Sequence, residues 1–369
     1  MHSSIFNFKR SIPDHPWGRL MLVTCLATLG LATAWEIKCR SWGYAPSLND
    51  TPDLWAMRRN AVKPDSTVIV GDSRAWFDLD LDEMEHGLGQ RPVQLAIPGS
   101  CAYTVLADLA DDKSFHGTVI CSVVPIMFFA PGGPPVQNAM EAINRRLKQT
   151  VSQKASNEIG MFLEEHLACL KQNDLTLGAL LKRLQIPNRA GALVGPALPP
   201  YFETEDRERR ARMAPQCAVP GPLQDRVKYG WIPLFTPPPL PTYVPRDVFL
   251  SGMAQATEGR FKDAASAVQR IRERGGKVVF VRFPVSGELR KFEDQATPRT
   301  GRWDRLLRET GAPGIYFTDY PELAGYTCPE WSHLSASDSV EFTHRLVPHL
   351  REAIGSIGVA AGASRAGAL

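Results

Sequence analysis

Val68-Ile69-Val70-Gly71-Asp72-Ser73-Arg74 is the stretch on which the reading of this chain turns. A β-branched run that stops at Gly-Asp-Ser reads as a buried strand whose carboxyl end lifts a serine hydroxyl out of the sheet. Gly71 permits a sharp turn, and Asp72 and Ser73 can hydrogen-bond the backbone beyond it. Open α/β sheets bind ligands at the carboxyl edge of their strands, so Ser73 is the first candidate for chemistry. Arg74, next in line, is a candidate for holding an oxyanion or a carboxylated substrate.

Working outward, apolar runs at 92–97, 119–124, 277–283 and 314–318 read as four more strands. Helical spacing separates them, at 80–88, at 102–110 and in the run Phe261, Ala264, Ala265, Val268, Ile271 stopped by Gly275-Gly276. A last helix is capped by Ser335, with Asp338 three residues on, and turns Val340, Thr343, Val347 and Leu350 inward. Five strands alternating with helices predict an α/β fold, a three-layer α/β/α sandwich with a mainly parallel five-stranded sheet. The domain is expected over residues 42–357, with 42–60 as a polar stalk or irregular lead-in and 358–369 as a small-residue, disordered tail. Residues 132–245 interrupt the pattern as an insertion without strands. It is first helical (Met140, Ile143, Leu147; Leu177, Leu180, Leu181, Leu184) and then proline-stiffened around Pro196–Pro200 and Pro237–Pro241.

Residues 20–35 carry no charge and follow Lys9, Arg10 and Arg19; Glu36, Lys38 and Arg40 close the run. Sixteen helical residues rise about 24 Å, which suits a short anchor or a signal peptide. Trp17 and Trp35 bracket the run as interfacial anchors do, while Ala32-Thr33-Ala34 is a small-x-small cleavage pattern. The segment 20–37 is therefore read as an anchor, with a cleaved signal as the alternative. The basic residues favour 1–19 on the cytoplasmic side and the domain outside. Of 369 residues, 44% are hydrophobic, enough for a sizeable core, and the net charge of +3 is spread rather than massed, which argues against nucleic acid. The seven cysteines show no C-x-x-C spacing, so neither a metal site nor a disulfide framework is predicted.

Cys328-Pro329-Glu330-Trp331-Ser332-His333-Leu334-Ser335 falls after the last strand and before the last helix. A serine nucleophile needs a base, and the base needs an acid to hold its tautomer. His333 and Glu330, three residues apart in a turn, fit those roles, with Asp319 as a rival acid. Arg282 ends the fourth strand and is a second candidate anion binder. Trp331, with Trp76, Phe77, Phe128 and Phe129, is either a substrate-facing wall or core. The run Tyr229-Gly230-Trp231-Ile232-Pro233 is either a lid or a packing anchor.

With Gly71-Asp72-Ser73 after the first strand, Gly99 after the second and a terminal Glu330-x-x-His333, the chain resembles the SGNH (GDSL-like) hydrolase and acyltransferase superfamily. It looks closest to the membrane-anchored branch that includes the alginate O-acetylation proteins and the protein assisting D-alanylation of teichoic acids. The resemblance covers roughly 65–130 and 275–350. It implies Ser73 as nucleophile, His333 as base, an oxyanion hole from the N–H groups of Ser73 and Gly99, and no cofactor. It further implies an acylated glycan or other acyl ester as substrate, a membrane-bound acyl-exporting partner, and a single-pass protein of a bacterial-type cell membrane with its domain on the periplasmic side. Two positions depart from the family pattern: a glutamate replaces the motif's aspartate, and Val123-Val124-Pro125-Ile126-Met127-Phe128 stands where a G-x-N-D block is expected. A catalytically reduced scaffold that holds a glycan or membrane partner is thus a second expectation. A nucleotide-binding module is a third, disfavoured by the lack of a glycine-rich phosphate loop.

Overall fold

Among the described residues seven strands form: β1 (Thr67–Val70), β2 (Val93–Gln94), β3 (Thr118–Ser122), β4 (Glu203–Glu205), β5 (Ala211–Met213), β6 (Lys277–Arg282) and β7 (Gly314–Tyr316). This is a computed structural model, and it describes residues 15–183, 202–236 and 244–366. Five of the strands make one parallel sheet in the order β2-β1-β3-β6-β7. β1 lies inside it, paired with β2 on one side and β3 on the other, so the order reverses where Ser73 leaves the sheet. Although β2 is short, Leu95 and Ile97 extend its ladder by donating to the carbonyls of Ile69 (2.8 Å) and Gly71 (2.9 Å).

Alternate residues of each strand feed two separate cores, which is why the strands are apolar throughout. Val68, Val70, Val119, Cys121, Val278 and Phe280 pack under the helices Ala102–Asp111, Pro134–Lys148, Arg246–Glu273 and Arg299–Thr310. Ile69, Ile120, Val279, Val281 and Ile315 face Leu81–Leu88, the last helix and the β4–β5 hairpin. The three-layer α/β/α sandwich expected from the strand pattern is the observed fold.

Several expectations about the periphery need correction. Residues 42–60 are not a free stalk: Thr51 caps the helix Pro52–Asn60, whose Leu54, Trp55 and Ala56 are buried, and Trp55 Nε1 donates to the Leu95 carbonyl at 3.0 Å. The insertion does contain strands, since β4 and β5 pair antiparallel. The last helix runs from Ala336 to Ala366, beyond the point where the tail was placed, and Val340 faces solvent while Phe342, Thr343, Leu346 and Leu350 are fully buried. Leu184 and both proline tracts lie outside the described residues.

The helix Trp17–Ser41 is long and apolar enough to cross a membrane, and none of its most apolar window is buried. Length and composition fit an anchor and a signal sequence alike. Its last turns dock on the insertion: Glu36 accepts from the N–H groups of Ala168 (3.0 Å) and Cys169 (2.9 Å), and Arg40 donates to the His166 carbonyl at 3.1 Å.

Candidate active site

Gly71 ends β1 in a place too tight for any side chain. A Cβ there would lie 2.6 Å from Ser122 Cβ and 2.7 Å from Ala75 Cβ. Asp72 follows as the N-cap of the short helix Ser73–Phe77, accepting from the Arg74 N–H at 2.9 Å and from the Ser122 hydroxyl at 3.1 Å. The turn is thus bolted to β3 from below, and Ser73 stands partly exposed on top of it.

On the other side, Trp331 adopts φ +82°, which L-residues avoid. The turn is pinned by the Ser286 N–H donating to the Trp331 carbonyl (2.8 Å) and by Cys328 N–H donating to the Ser286 hydroxyl (2.9 Å). This conformation folds Glu330 back on its own turn. Glu330 Oε1 accepts from the N–H groups of Ser332 (3.2 Å) and His333 (2.5 Å), and stands 2.9 Å from His333 Nδ1. His333 Nε2 is 2.8 Å from Ser73 Oγ. With the ring proton on Nδ1, the imidazole donates to Glu330 and accepts from the Ser73 hydroxyl. Glu330 is 0% and His333 1% exposed, so this relay sits in a dry, weakly screening environment.

The insertion completes the enclosure. Trp231 Nε1 donates to Glu330 Oε2 at 2.6 Å, and its ring lies 6.0 Å from the imidazole. Phe77 stacks on His333 at 4.3 Å and Phe202 stacks on Phe77 at 5.3 Å. Of the two readings of the 229–233 run, the packing one describes Trp231, though its indole also bonds the buried acid; Tyr229 is exposed. Neither Phe202 nor the Trp231–Glu330 bond was foreseen, and nothing short-range in the sequence signals either contact.

Gly99 adopts φ +65° in the loop after β2. The Ile97 N–H and the Ser100 hydroxyl (3.5 Å) both reach the Gly71 carbonyl and draw this loop against the Ser73 turn. Among the described residues no acceptor takes up the N–H of Ser73 or of Gly99. Residues 123–128 contain no side-chain amide; the helix Pro134–Lys148 brings Asn138, whose Nδ2 reaches the Gly99 carbonyl at 3.5 Å.

Other candidates are placed elsewhere. Arg74 and Arg282 are each 2% exposed and serve Glu293, not the open side of the site. Arg74 donates to both oxygens of Glu293 (3.0 and 2.5 Å), and Arg282 donates to one of them. Burial raises the Glu293 carboxyl, but the two guanidiniums outweigh it and hold the group at about 2. Both arginines therefore lock the sheet's edge internally. Asp319 pairs with Arg299 at 2.5 and 2.7 Å and is no rival to Glu330. Phe128 and Phe129 are core, packed with Phe280 and Phe261. Trp76 packs edge-on against Phe77. Trp331 itself sits over Gly287 and beside Phe235.

No protein-family model, curated protein or solved structure matches this chain.

Proposed function

We propose that the chain is an SGNH-type serine esterase or O-acyltransferase working through an acyl-serine intermediate. The observation that carries this reading is the continuous relay from Ser73 Oγ through His333 to Glu330, backed by Trp231. His333 Nε2 takes the Ser73 proton as Oγ adds to the acyl carbonyl, and Glu330 stabilises the imidazolium that forms. The unengaged N–H groups of Ser73 and Gly99 are the donors for the oxyanion. As the tetrahedral adduct collapses, His333 returns the proton to the departing alcohol. A second hydroxyl, from an acceptor or from water, then repeats the cycle and frees Ser73.

Acetyl as the acyl group is what the family resemblance implies. The glycan acceptor, the acyl-exporting partner and the periplasmic setting rest on the family resemblance, to which an N-terminal helix able to span a membrane adds support. The test is turnover of an aryl acetate by the full chain in detergent, with and without a soluble oligosaccharide acceptor. The reading predicts release of the phenol, a trapped acetyl group on Ser73, and loss of both in Ser73→Ala. Acetylated acceptor identifies a transferase and acetate a hydrolase. No turnover by folded protein would favour the scaffold reading, which the absence of an amide in residues 123–128 supports.

A further inference from the structure

The helix Val151–Glu164 buries Met161 and Glu164 and leaves its other large apolar side chains exposed. Met161 points inward to Leu48 and Leu54, as a packed helix requires. Outward, Val151, Ala155, Ile159 and Phe162 follow one another at helical spacing, with Leu163 beside the last, and all are exposed. Phe162 is 58% and Ile159 64% exposed. A stripe of this kind on a soluble surface calls for an occupant.

The position of the stripe names that occupant. Its carboxyl end runs directly into the segment that grips the candidate membrane helix: Arg40 holds the His166 carbonyl, and Glu36 holds the N–H groups of Ala168 and Cys169. Glu36 is the first charge after the apolar run. Trp35 packs edge-on against Trp42, with Lys38 over the Trp42 ring, the residue types that mark a bilayer's headgroup level. If the helix Trp17–Ser41 spans a bilayer, the headgroup level falls near residues 166–169. Phe162 precedes His166 by four residues, about 6 Å along a helix, and its ring lies tilted against the His166 ring at 4.7 Å. Beyond the grip, Leu177 and Leu181 are the next exposed apolar side chains.

We infer that Ile159, Phe162 and Leu163 form a second contact with the lipid bilayer, in which the insertion rests on the headgroup–acyl boundary beside the spanning helix. Apolar side chains on such a helix face partition shallowly into that boundary. A helix gripped at one point leaves the domain free to swing about it, whereas a second contact fixes its tilt. This inference stands on the membrane helix and its docking, independently of the catalytic reading.

The test uses the full chain in liposomes of phosphatidylcholine doped with a carbene-generating phosphatidylcholine, with adducts mapped by peptide mass spectrometry. Adducts are expected on Ile159, Phe162 and Leu163 as well as on Trp17–Ser41. In the double variant Phe162→Glu, Leu163→Glu, those on the insertion are lost while those on the spanning helix persist. Both positions are exposed, and an unchanged melting curve confirms the fold. Adducts confined to Trp17–Ser41 would overturn the inference. So would cross-linking between two copies through a photoreactive residue at position 162, since a second copy would then cover the stripe.

Discussion

Glu330 accepts four hydrogen bonds while fully buried, three at Oε1 and one, from Trp231, at Oε2. A buried carboxylate oxygen deprived of its donor costs about 1–3 kcal/mol. Trp231→Phe keeps the ring against His333 and removes the donor, so a loss of stability of that size is expected in urea unfolding, with a lower acylation rate. A variant as stable as the parent would show that water replaces the indole. Asp78 makes a different prediction. Burial pushes its carboxyl well up, against the pull of the Leu334 N–H and Arg74, and Oδ1 accepts from Leu334 directly behind His333. A raised folded-state value favours the fold below the unfolded-chain value and loses that advantage as pH rises. Asp78→Asn keeps the acceptor and removes the titration. Its melting temperature relative to the parent should therefore climb as pH rises above the ordinary carboxylate range, and a constant offset would contradict this. The turn at Gly71–Ser73 and the Glu330–His333 pair were legible in the sequence because each is formed within a few residues. Trp231 and Glu293 were not, because they meet partners 99 and 219 positions away.

Elements meet at Glu293, which ties the helix Gly287–Ala296 to the turn after β1 through Arg74 and to the end of β6 through Arg282. Removing it leaves two buried guanidiniums with one lost partner, and breaking a buried pair costs about 3–5 kcal/mol. Glu293→Gln should show that deficit at neutral pH by chemical denaturation. Because the native carboxyl is depressed to about 2, its contribution is complete above the ordinary carboxylate range and is lost as pH falls from there toward 2. The gap between parent and variant should close over that window; a gap independent of pH would contradict the assignment. Gly71→Ala tests the strand-to-helix turn. The added methyl collides with Ser122 and Ala75, and overpacking of this kind costs about 1–3 kcal/mol and displaces Ser73. The strands themselves were legible as β-branched runs. The β4–β5 hairpin was not, because Glu203-Thr204-Glu205 and Ala211-Arg212-Met213 lack that character and form against the core of the larger sheet. The helix Pro52–Asn60 had its signal, a Thr51 cap and a proline in the first turn, but its few apolar residues read as a stalk.

Across the whole molecule, a parallel sheet in this order brings the ends of β1 and β2 and the turn beyond β7 to one edge, which is how residues 260 positions apart become hydrogen-bonded. The same sheet serves many unrelated chemistries, so the fold alone selects none. What is placed on the edge is a serine hydroxyl, an imidazole and a buried carboxylate, sealed by an insertion whose other end grips the apolar N-terminal helix. The insertion was the least legible part, since the contacts that place it, at Trp231–Glu330 and Glu36–Cys169, are made with distant parts of the chain. The measurement that bears most directly on the account is intact-mass labelling of the full chain in detergent with a fluorophosphonate, followed by peptide mapping. The account predicts one adduct, on Ser73, formed in the parent and suppressed in His333→Ala. An absence of adduct on folded parent protein, or an adduct on Ser73 that forms equally fast without His333, would contradict it.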